Sequence, residues 1–167
     1  MNKIGFVLVS AVLTASCFKT VAMPNPWTDC GEDLACGAKT AGFDFPLRVK
    51  NRTVRAMRDM MEIRFPLDEK RVAIVRKSAM PDGRADENGI IDISGDYNNY
   101  PVNRTVTIDN GVKFAVRGDE NNYKVASFAA ETGYYGILCG EGLSLDDIRR
   151  LYDLLAGAEA PKPAEND

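Results

Sequence analysis

The feature that most restricts the fold is the alternation of apolar and polar residues over VNRTVTIDNGVKFAVRG, residues 102–118. Successive side chains of a β-strand point to opposite faces, so this period of two predicts two strands with one buried side. Asn110-Gly111 separates the two runs, and this dipeptide is a strong signal for a tight hairpin turn. The buried side takes these apolar residues: Val106, Ile108, Val112, Phe114 and Val116. The segment therefore predicts an antiparallel hairpin within a larger sheet.

Four further strands and two helices are predicted around this hairpin. The strand patterns cover residues 54–66, 71–78, 123–131 and 134–139. A first helix is predicted from an N-cap at Asp29 to about Thr40, with Gly42 closing it, and a second helix follows an N-cap at Ser144. This order predicts an α+β domain. It is an antiparallel meander sheet of about six strands, with an N-terminal and a C-terminal helix packed on one face.

The start of the chain has the layout of a secretory signal peptide. Lys3 precedes an apolar run that is too short to span a membrane, and Ala22 ends a small-residue cleavage site. We therefore expect a signal peptide over residues 1–22 and a single α+β domain over residues 23–157. The tail over residues 158–167 is rich in proline, alanine and acidic residues, so it is expected to be disordered.

A lipid anchor at Cys17 is the alternative to cleavage after Ala22. The stretch LTASC, residues 13–17, resembles a lipoprotein cleavage site, although Thr14 stands where such sites carry a branched aliphatic residue. Both routes predict export to the periplasm or the extracellular space. The membrane becomes a partner only if Cys17 is lipidated.

Charge and composition narrow the classes of function. The chain holds 21 basic and 24 acidic residues, and loss of Lys3 and Lys19 with the signal peptide leaves 19 basic residues and a net charge of −5. Such a mildly acidic domain is not expected to bind nucleic acid. The absence of histidine excludes His-based nucleophile pairs, His general bases and His-containing zinc sites. No catalytic, cofactor-binding or metal-ligating residue is predicted.

The segment ADENGIIDISGDYNNY, residues 85–100, has the oxygen-rich composition of a calcium loop. When an EF-hand is aligned on Gly89, its first ligand falls on Arg84 and its bidentate carboxylate on Gly95, so this pattern fails. The remaining metal alternative is an irregular site made of Asp86, Asp92 and Asp96. The favoured interpretation is two turns on either side of a buried isoleucine pair.

Three cysteines follow the predicted signal peptide, and an exported protein usually joins such residues in disulfides. Cys30 and Cys36 fall within the predicted first helix, where six residues rise about 9 Å, so they are not expected to pair with each other. The helical wheel turns Cys30 toward the core, and Cys139 alternates with Tyr135 and Ile137 in the last strand. We therefore predict a Cys30–Cys139 disulfide and leave Cys36 free or intermolecular.

Several short motifs occur here together and in a fixed order. They are NPW at 25–27, AGF at 41–43, IVRKS at 74–78 and DISGDYNNY at 92–100, followed by a Tyr-rich strand before the last helix. In this order the chain resembles small exported bacterial proteins with the domain of unknown function 4367, over residues 24–156. The resemblance implies a secreted or lipoprotein-like α+β domain and supplies no catalytic residues.

Together these features predict a non-enzymatic extracytoplasmic binding or regulatory domain, with an envelope or extracellular protein or ligand as its partner. Basic residues in or beside the predicted strands form either a ligand-binding basic face or the solvated side of a one-sided sheet, and we favour the solvated side. Two alternatives stay open. One is a passive envelope lipoprotein. The other is a carboxylate-only glycan hydrolase that uses Asp92 and Asp96, or Asp119 and Glu120.

Overall fold

The computed structural model describes residues 25–45, 47–81, 83–108 and 111–159, with side chains through residue 156. The predicted signal peptide, Cys17 and the chain beyond Glu159 lie outside these residues. The elements in chain order are β1 (Thr28–Gly31), α1 (Leu34–Ala41), β2 (Thr53–Met57), β3 (Met60–Pro66), β4 (Val72–Ser78), β5 (Val102–Thr107), β6 (Lys113–Asp119), β7 (Asn122–Ala130), β8 (Gly133–Leu143) and α2 (Leu145–Glu159). Among the described helices, none combines the length and the apolar character needed to cross a membrane.

The eight described strands form one antiparallel sheet in the order β1-β2-β3-β4-β8-β7-β6-β5. It consists of two meanders, β1–β4 and β5–β8, which meet where β4 pairs with β8. The α+β class and the antiparallel sheet are confirmed. The hairpin over residues 102–118 is β5 and β6, with Val106 opposite Phe114. Of its predicted turn, Gly111 has a left-handed φ of 81°, and Asn110 lies outside the described residues.

The predicted number of about six strands is wrong, partly because the predicted strand over residues 54–66 is two strands. A tight turn at Arg58-Asp59 separates β2 from β3, with Asp59 in the left-handed region at φ 63°. Met57 pairs directly with Met60 across this turn. The buried apolar residues therefore carry even numbers in β2 and odd numbers in β3.

The other additional strand, β1, replaces the predicted start of the first helix. Helix α1 begins at Leu34 because Asp33, and not Asp29, is its N-cap. The Asp33 carboxylate accepts a hydrogen bond from the Ala35 N–H at 2.8 Å. The predicted end is correct, since Gly42 terminates α1 in the left-handed conformation at φ 82°.

The predicted Cys30–Cys139 disulfide is wrong, because Cys30 is bonded to Cys36. Cys30 lies in β1 rather than in a helix, and the turn before α1 brings the two Cα atoms to 5.7 Å. The rise of a helix therefore does not separate these two cysteines. Cys139 is a free thiol buried in β8, and burial raises the pKa of this thiol.

One face of the sheet, which we call the core face, is mostly apolar. Its central row consists of fully buried paired residues: Ile63, Val75, Ile137, Ala126 and Val116. Helix α1 packs closely where Gly37 meets Val54, since a Cβ at Gly37 would lie 2.8 Å from the Val54 Cγ1. Helix α2 packs through the Tyr152 ring, whose centroid lies 5.8 Å from that of Phe114 and 5.5 Å from that of Phe128. These contacts all involve side chains of the core face.

An ion pair fixes the first turn of α2. The Ser144 hydroxyl accepts a hydrogen bond from the Asp147 N–H at 3.1 Å, as expected for an N-cap. Arg71, which precedes β4, donates two hydrogen bonds to the Asp147 carboxylate at 2.7 and 3.2 Å. These bonds from Arg71, together with those from Ser144, lower the pKa of Asp147 to about 2 despite its burial.

The opposite face, which we call the polar face, is partly covered by the loop between β4 and β5. We call residues 83–100 of this loop the crossing segment. Three of its apolar side chains are buried: Ile90, Ile91 and Ile93. The backbone of Ser94 lies over Gly136 in β8, where a Cβ would stand 2.7 Å from the Ser94 nitrogen. The absence of a side chain at Gly136 therefore lets the crossing segment approach the sheet.

Candidate functional site

A groove of about 400 Å³ lies between the crossing segment and strands β5, β6 and β7 on the polar face. We call it the candidate groove. The polar side chains that line it are Arg84, Asp86, Asp92, Asn103, Arg117 and Ser127. Concave sites with a few converging polar groups are the usual form of small-ligand sites in proteins. This groove is therefore the strongest candidate among the described residues.

Asp92 forms the floor of the candidate groove. One of its carboxylate oxygens accepts hydrogen bonds from the Ser127 hydroxyl at 3.0 Å and from the Ser94 N–H at 2.9 Å. The other oxygen accepts a hydrogen bond from Arg117 at 2.6 Å, and Arg117 also donates to the backbone carbonyl of Asp96 at 2.7 Å. These bonds attach the crossing segment to β6 and β7, so the sheet sets the shape of the groove.

A turn closed by Asp86 forms the rim. The Asp86 carboxylate accepts hydrogen bonds from the N–H groups of Asn88 and Ile90, both at 2.8 Å. This is the local pattern by which aspartate closes turns. The Asn88 side chain donates to the Thr105 hydroxyl at 3.1 Å and accepts from the Lys113 ammonium at 3.0 Å. The rim is therefore tied to both β5 and β6.

Arg84 is a charged residue at the rim that takes no part in holding the described fold together. Its side chain is exposed and lines the groove, and no hydrogen bond or ion pair joins it to another described residue. The other charged groups of the groove already hold the crossing segment in place. Arg84 is thus available to a ligand. A guanidinium presents a planar fork of donors that matches a carboxylate or a phosphate.

The carboxylates that sequence analysis considered for hydrolysis do not have the properties of a catalytic pair. Asp96 accepts hydrogen bonds from the Asn98 N–H at 2.8 Å and from the Tyr100 hydroxyl at 2.9 Å. Burial raises the pKa of Asp96, but these bonds outweigh it and hold that pKa below its ordinary value. A glycosidase acid needs a raised pKa. Both oxygens of Asp92 are engaged by the sheet and the crossing segment.

The structure separates the other candidate carboxylates as well. Asp86, Asp92 and Asp96 each cap a different turn. Within the described ranges there is no cluster of three His, Cys, Asp or Glu side chains that could hold a metal ion. Asp119 and Glu120 lie at the turn between β6 and β7, outside the groove lining, and Glu120 is 3.6 Å from Arg104.

The basic residues at the centre of the polar face are ion-paired. Glu62 is buried and accepts hydrogen bonds from Arg55 at 3.1 Å and from Arg76 at 2.8 Å. The Trp27 ring centroid lies 5.3 and 5.5 Å from the two guanidinium carbons. The sequence is compatible with a ligand-binding basic face or with a solvated one. At this place the two cations share one buried carboxylate, so both are ion-paired and one net positive charge remains.

A second cavity of about 400 Å³ lies on the core-face side, beside α2. Most of its lining is apolar or aromatic: Val112, Phe128, Tyr135, Tyr152 and Leu155. The rings of Phe128 and Tyr135 are stacked 4.6 Å apart, and the Tyr135 hydroxyl lies 3.0 Å from the Thr132 hydroxyl. Glu131 is the charged member of this lining, whereas the candidate groove has four charged members. The candidate groove therefore offers more charged groups to a polar ligand than this cavity does.

Comparison with known proteins finds no relative: the chain matches no family model, no curated protein and no solved structure. The resemblance to proteins with the domain of unknown function 4367 stays a prediction. Function is therefore argued from the geometry of the groove.

Proposed function

We propose that this chain is an extracytoplasmic binding domain and that its candidate groove holds a carboxylate-bearing ligand. The observation that carries the proposal is the position of Arg84. It stands unpaired at the rim of a groove whose floor, the Asp92–Arg117 ion pair, is held rigidly by the sheet. A pre-formed site of this kind loses little conformational entropy when a ligand binds. Asn103 adds an amide donor and acceptor on the β5 side.

Binding without chemical conversion is supported by the state of the acidic groups. Asp92 accepts an ion-paired hydrogen bond from Arg117, and Asp86 accepts two bonds from backbone N–H groups. These carboxylates therefore hold the crossing segment in its fold, and Arg84 is the charged group of the groove lining that is left open for recognition.

Export is the second part of the proposal. The signal-peptide pattern over residues 1–22 and the resemblance noted in the sequence both support it. The Cys30–Cys36 disulfide supports it as well, since disulfides form and persist mainly in oxidising compartments. The lipoprotein alternative differs by the fate of Cys17. An intact mass that begins at Met23 without acyl groups supports cleavage, whereas a diacylated chain that begins at Cys17 supports an anchored protein.

The experiment is a calorimetric titration of residues 23–167 with simple carboxylates: acetate, succinate, citrate and N-acetylglutamate. We expect at least one of them to bind, with affinity lost in Arg84→Ala and partly kept in Arg84→Lys, which retains the charge without the fork. Arg58→Ala is the matched control, because Arg58 is an exposed arginine in the β2–β3 turn, where its side chain is 94% exposed. Equal binding by wild type and Arg84→Ala, or no binding of any carboxylate, would contradict the proposal.

A further inference from the structure

Strand β5 is the free edge of the sheet beside the candidate groove. It is six residues long, and among the described strands β6 is its single neighbour. We propose that this edge takes up an extended acidic peptide of a partner protein as an additional strand, with one acidic side chain entering the candidate groove. The inference rests on the proposed function of the groove and names the class of ligand.

The register shows which backbone groups of β5 are free to pair. The Ile108 N–H donates to the Val112 carbonyl at 3.0 Å, so this pair is of the hydrogen-bonded type. Such pairs alternate along an antiparallel ladder. Val102, Arg104 and Val106 therefore direct their N–H and C=O groups to β6. The groups of Asn103, Thr105 and Thr107 point away from the sheet, and no other described residue is bonded to them.

The β5 edge also lacks the features that usually prevent a free edge from pairing with another strand, such as a proline within the strand or an unengaged charged side chain. No proline lies within the strand. Its one charged side chain, Arg104, is held by the Tyr123 hydroxyl at 2.6 Å, and Tyr123 is buried in the core. The opposite edge differs, because β1 is four residues long, is irregular before Gly31 and carries the disulfide at Cys30. An added strand is therefore expected at β5.

The edge and the candidate groove meet at Asn103. This residue lines the groove with its side chain while its backbone groups face outward. Residues paired across strands project to the same face of a sheet. A peptide residue opposite Asn103 therefore projects to the polar face, beside the groove whose rim carries Arg84. The next peptide residue projects to the core face, beside Arg104.

Charge and size favour an acidic peptide over a second copy of this chain. Arg84, beside this edge, is a cation without an acidic partner among the described residues, whereas the net charge of −3 makes two copies of the chain repel each other. A stable dimer buries roughly 800 Å² on each partner, which is more than a six-residue edge offers by itself. A peptide instead gains affinity from backbone bonds and from side-chain contacts on both faces.

The test titrates residues 23–167 with a fluorescent heptapeptide that alternates valine and glutamate, and with a matched peptide that alternates valine and lysine. We expect the acidic peptide to bind more tightly than both the basic peptide and N-acetylglutamate. Amide exchange followed by NMR should slow at Asn103, Thr105 and Thr107 and stay unchanged at Val102, Arg104 and Val106. Thr105→Pro, which removes an outward N–H, should bind about tenfold more weakly than Thr105→Ala, the loss expected for one net hydrogen bond.

Each of the following four outcomes would contradict the peptide-strand inference, and each can be told apart from the others. If the acidic peptide binds but exchange at the three outward amides is unchanged, the edge is not used. If Thr105→Pro and Thr105→Ala bind equally while Arg84→Ala loses binding, the groove proposal stands and the edge inference fails. If the acidic peptide binds no more tightly than N-acetylglutamate, a strand partner is excluded. Protection of the same amides without peptide, with a dimer mass in sedimentation, would identify a second copy as the occupant.

Discussion

Arg117 in β6 donates a hydrogen bond to Asp92 in the crossing segment at 2.6 Å, joining two residues 25 positions apart in the sequence. The same guanidinium reaches the backbone carbonyl of Asp96, and Asp92 in turn accepts from the buried Ser127. This connection holds the segment against the polar face of the sheet. It also forms the floor of the candidate groove, so the same ion pair contributes to the folding of the loop and to the shape of the site.

Loss of this ion pair should destabilise the protein. Arg117→Ala leaves the Asp92 carboxylate with its bonds to Ser127 and Ser94 but without a cation, and we expect the free energy of unfolding to fall by about 1–3 kcal/mol. Urea denaturation measures this loss. Arg58→Ala, at an exposed turn position, should stay within about 0.5 kcal/mol of wild type. An equal effect of both substitutions would show that the Arg117–Asp92 ion pair does not hold the crossing segment in place.

A side chain at Gly136 should displace the crossing segment. The Cβ of Gly136→Ala would come within 2.7 Å of the Ser94 nitrogen, and relief of this contact should cost about 1–3 kcal/mol of stability. Gly140→Ala is the matched control in the same strand, since no atom lies within 4 Å of the Cβ position there. Carboxylate binding should weaken in Gly136→Ala and persist in Gly140→Ala. Wild-type stability of Gly136→Ala would mean that the segment does not lie against β8.

Reduction of the Cys30–Cys36 disulfide should lower stability moderately. The bond closes a short loop, for which chain-entropy arguments give about 2 kcal/mol. A Cys30–Cys139 bond would close a much longer loop and give about 4–5 kcal/mol. Peptide mapping without reductant should find Cys30 linked to Cys36 and Cys139 as a free thiol. Denaturation of the Cys36→Ser variant should reproduce the effect of reduction, and a Cys139 linkage in the map would contradict the structure.

Asp147 should make the protein sensitive to acid. Its pKa is about 2 in the folded state against an ordinary value of 3.8, so its ion pair with Arg71 stabilises the fold above pH 4. That contribution, about 2 kcal/mol, is lost as the pH falls from about 4 through 2. Asp147→Asn should lose it already at neutral pH and show a flatter stability profile between pH 4 and 2. Asp146→Asn, whose side chain is exposed, should follow the wild-type profile.

Local patterns in the sequence predicted the part of the fold that depends on local geometry. The period of two over residues 102–118 identified β5 and β6, and Gly42 marked the end of α1. The sequence also contains a local signal that residues 54–66 form two strands. The buried apolar positions are even-numbered as far as Ala56 and odd-numbered from Met61 onward. Residues on one face of a continuous strand lie an even number of positions apart, so this switch requires a turn.

Other features depend on contacts that no local pattern encodes. The pairing of β4 with β8 joins residues about sixty positions apart, such as Val75 and Ile137. The candidate site also depends on contacts between residues that are far apart in the sequence. In the sequence Asp92 is a candidate metal ligand or catalytic acid, whereas its long-range ion pair with Arg117 places it in the groove floor. The disulfide was mispredicted because the error in the helix start at Asp29 carried over to Cys30.

The central claim is that the candidate groove is the ligand-binding site, and NMR titration of the ¹⁵N-labelled domain with N-acetylglutamate tests it most directly. The account predicts shift changes at the groove residues Arg84, Asp86, Asn103, Arg117 and Ser127, and their absence in Arg84→Ala. Shift changes that cluster at Phe128 and Tyr152, around the aromatic cavity beside α2, would contradict it, as would a spectrum that N-acetylglutamate leaves unchanged.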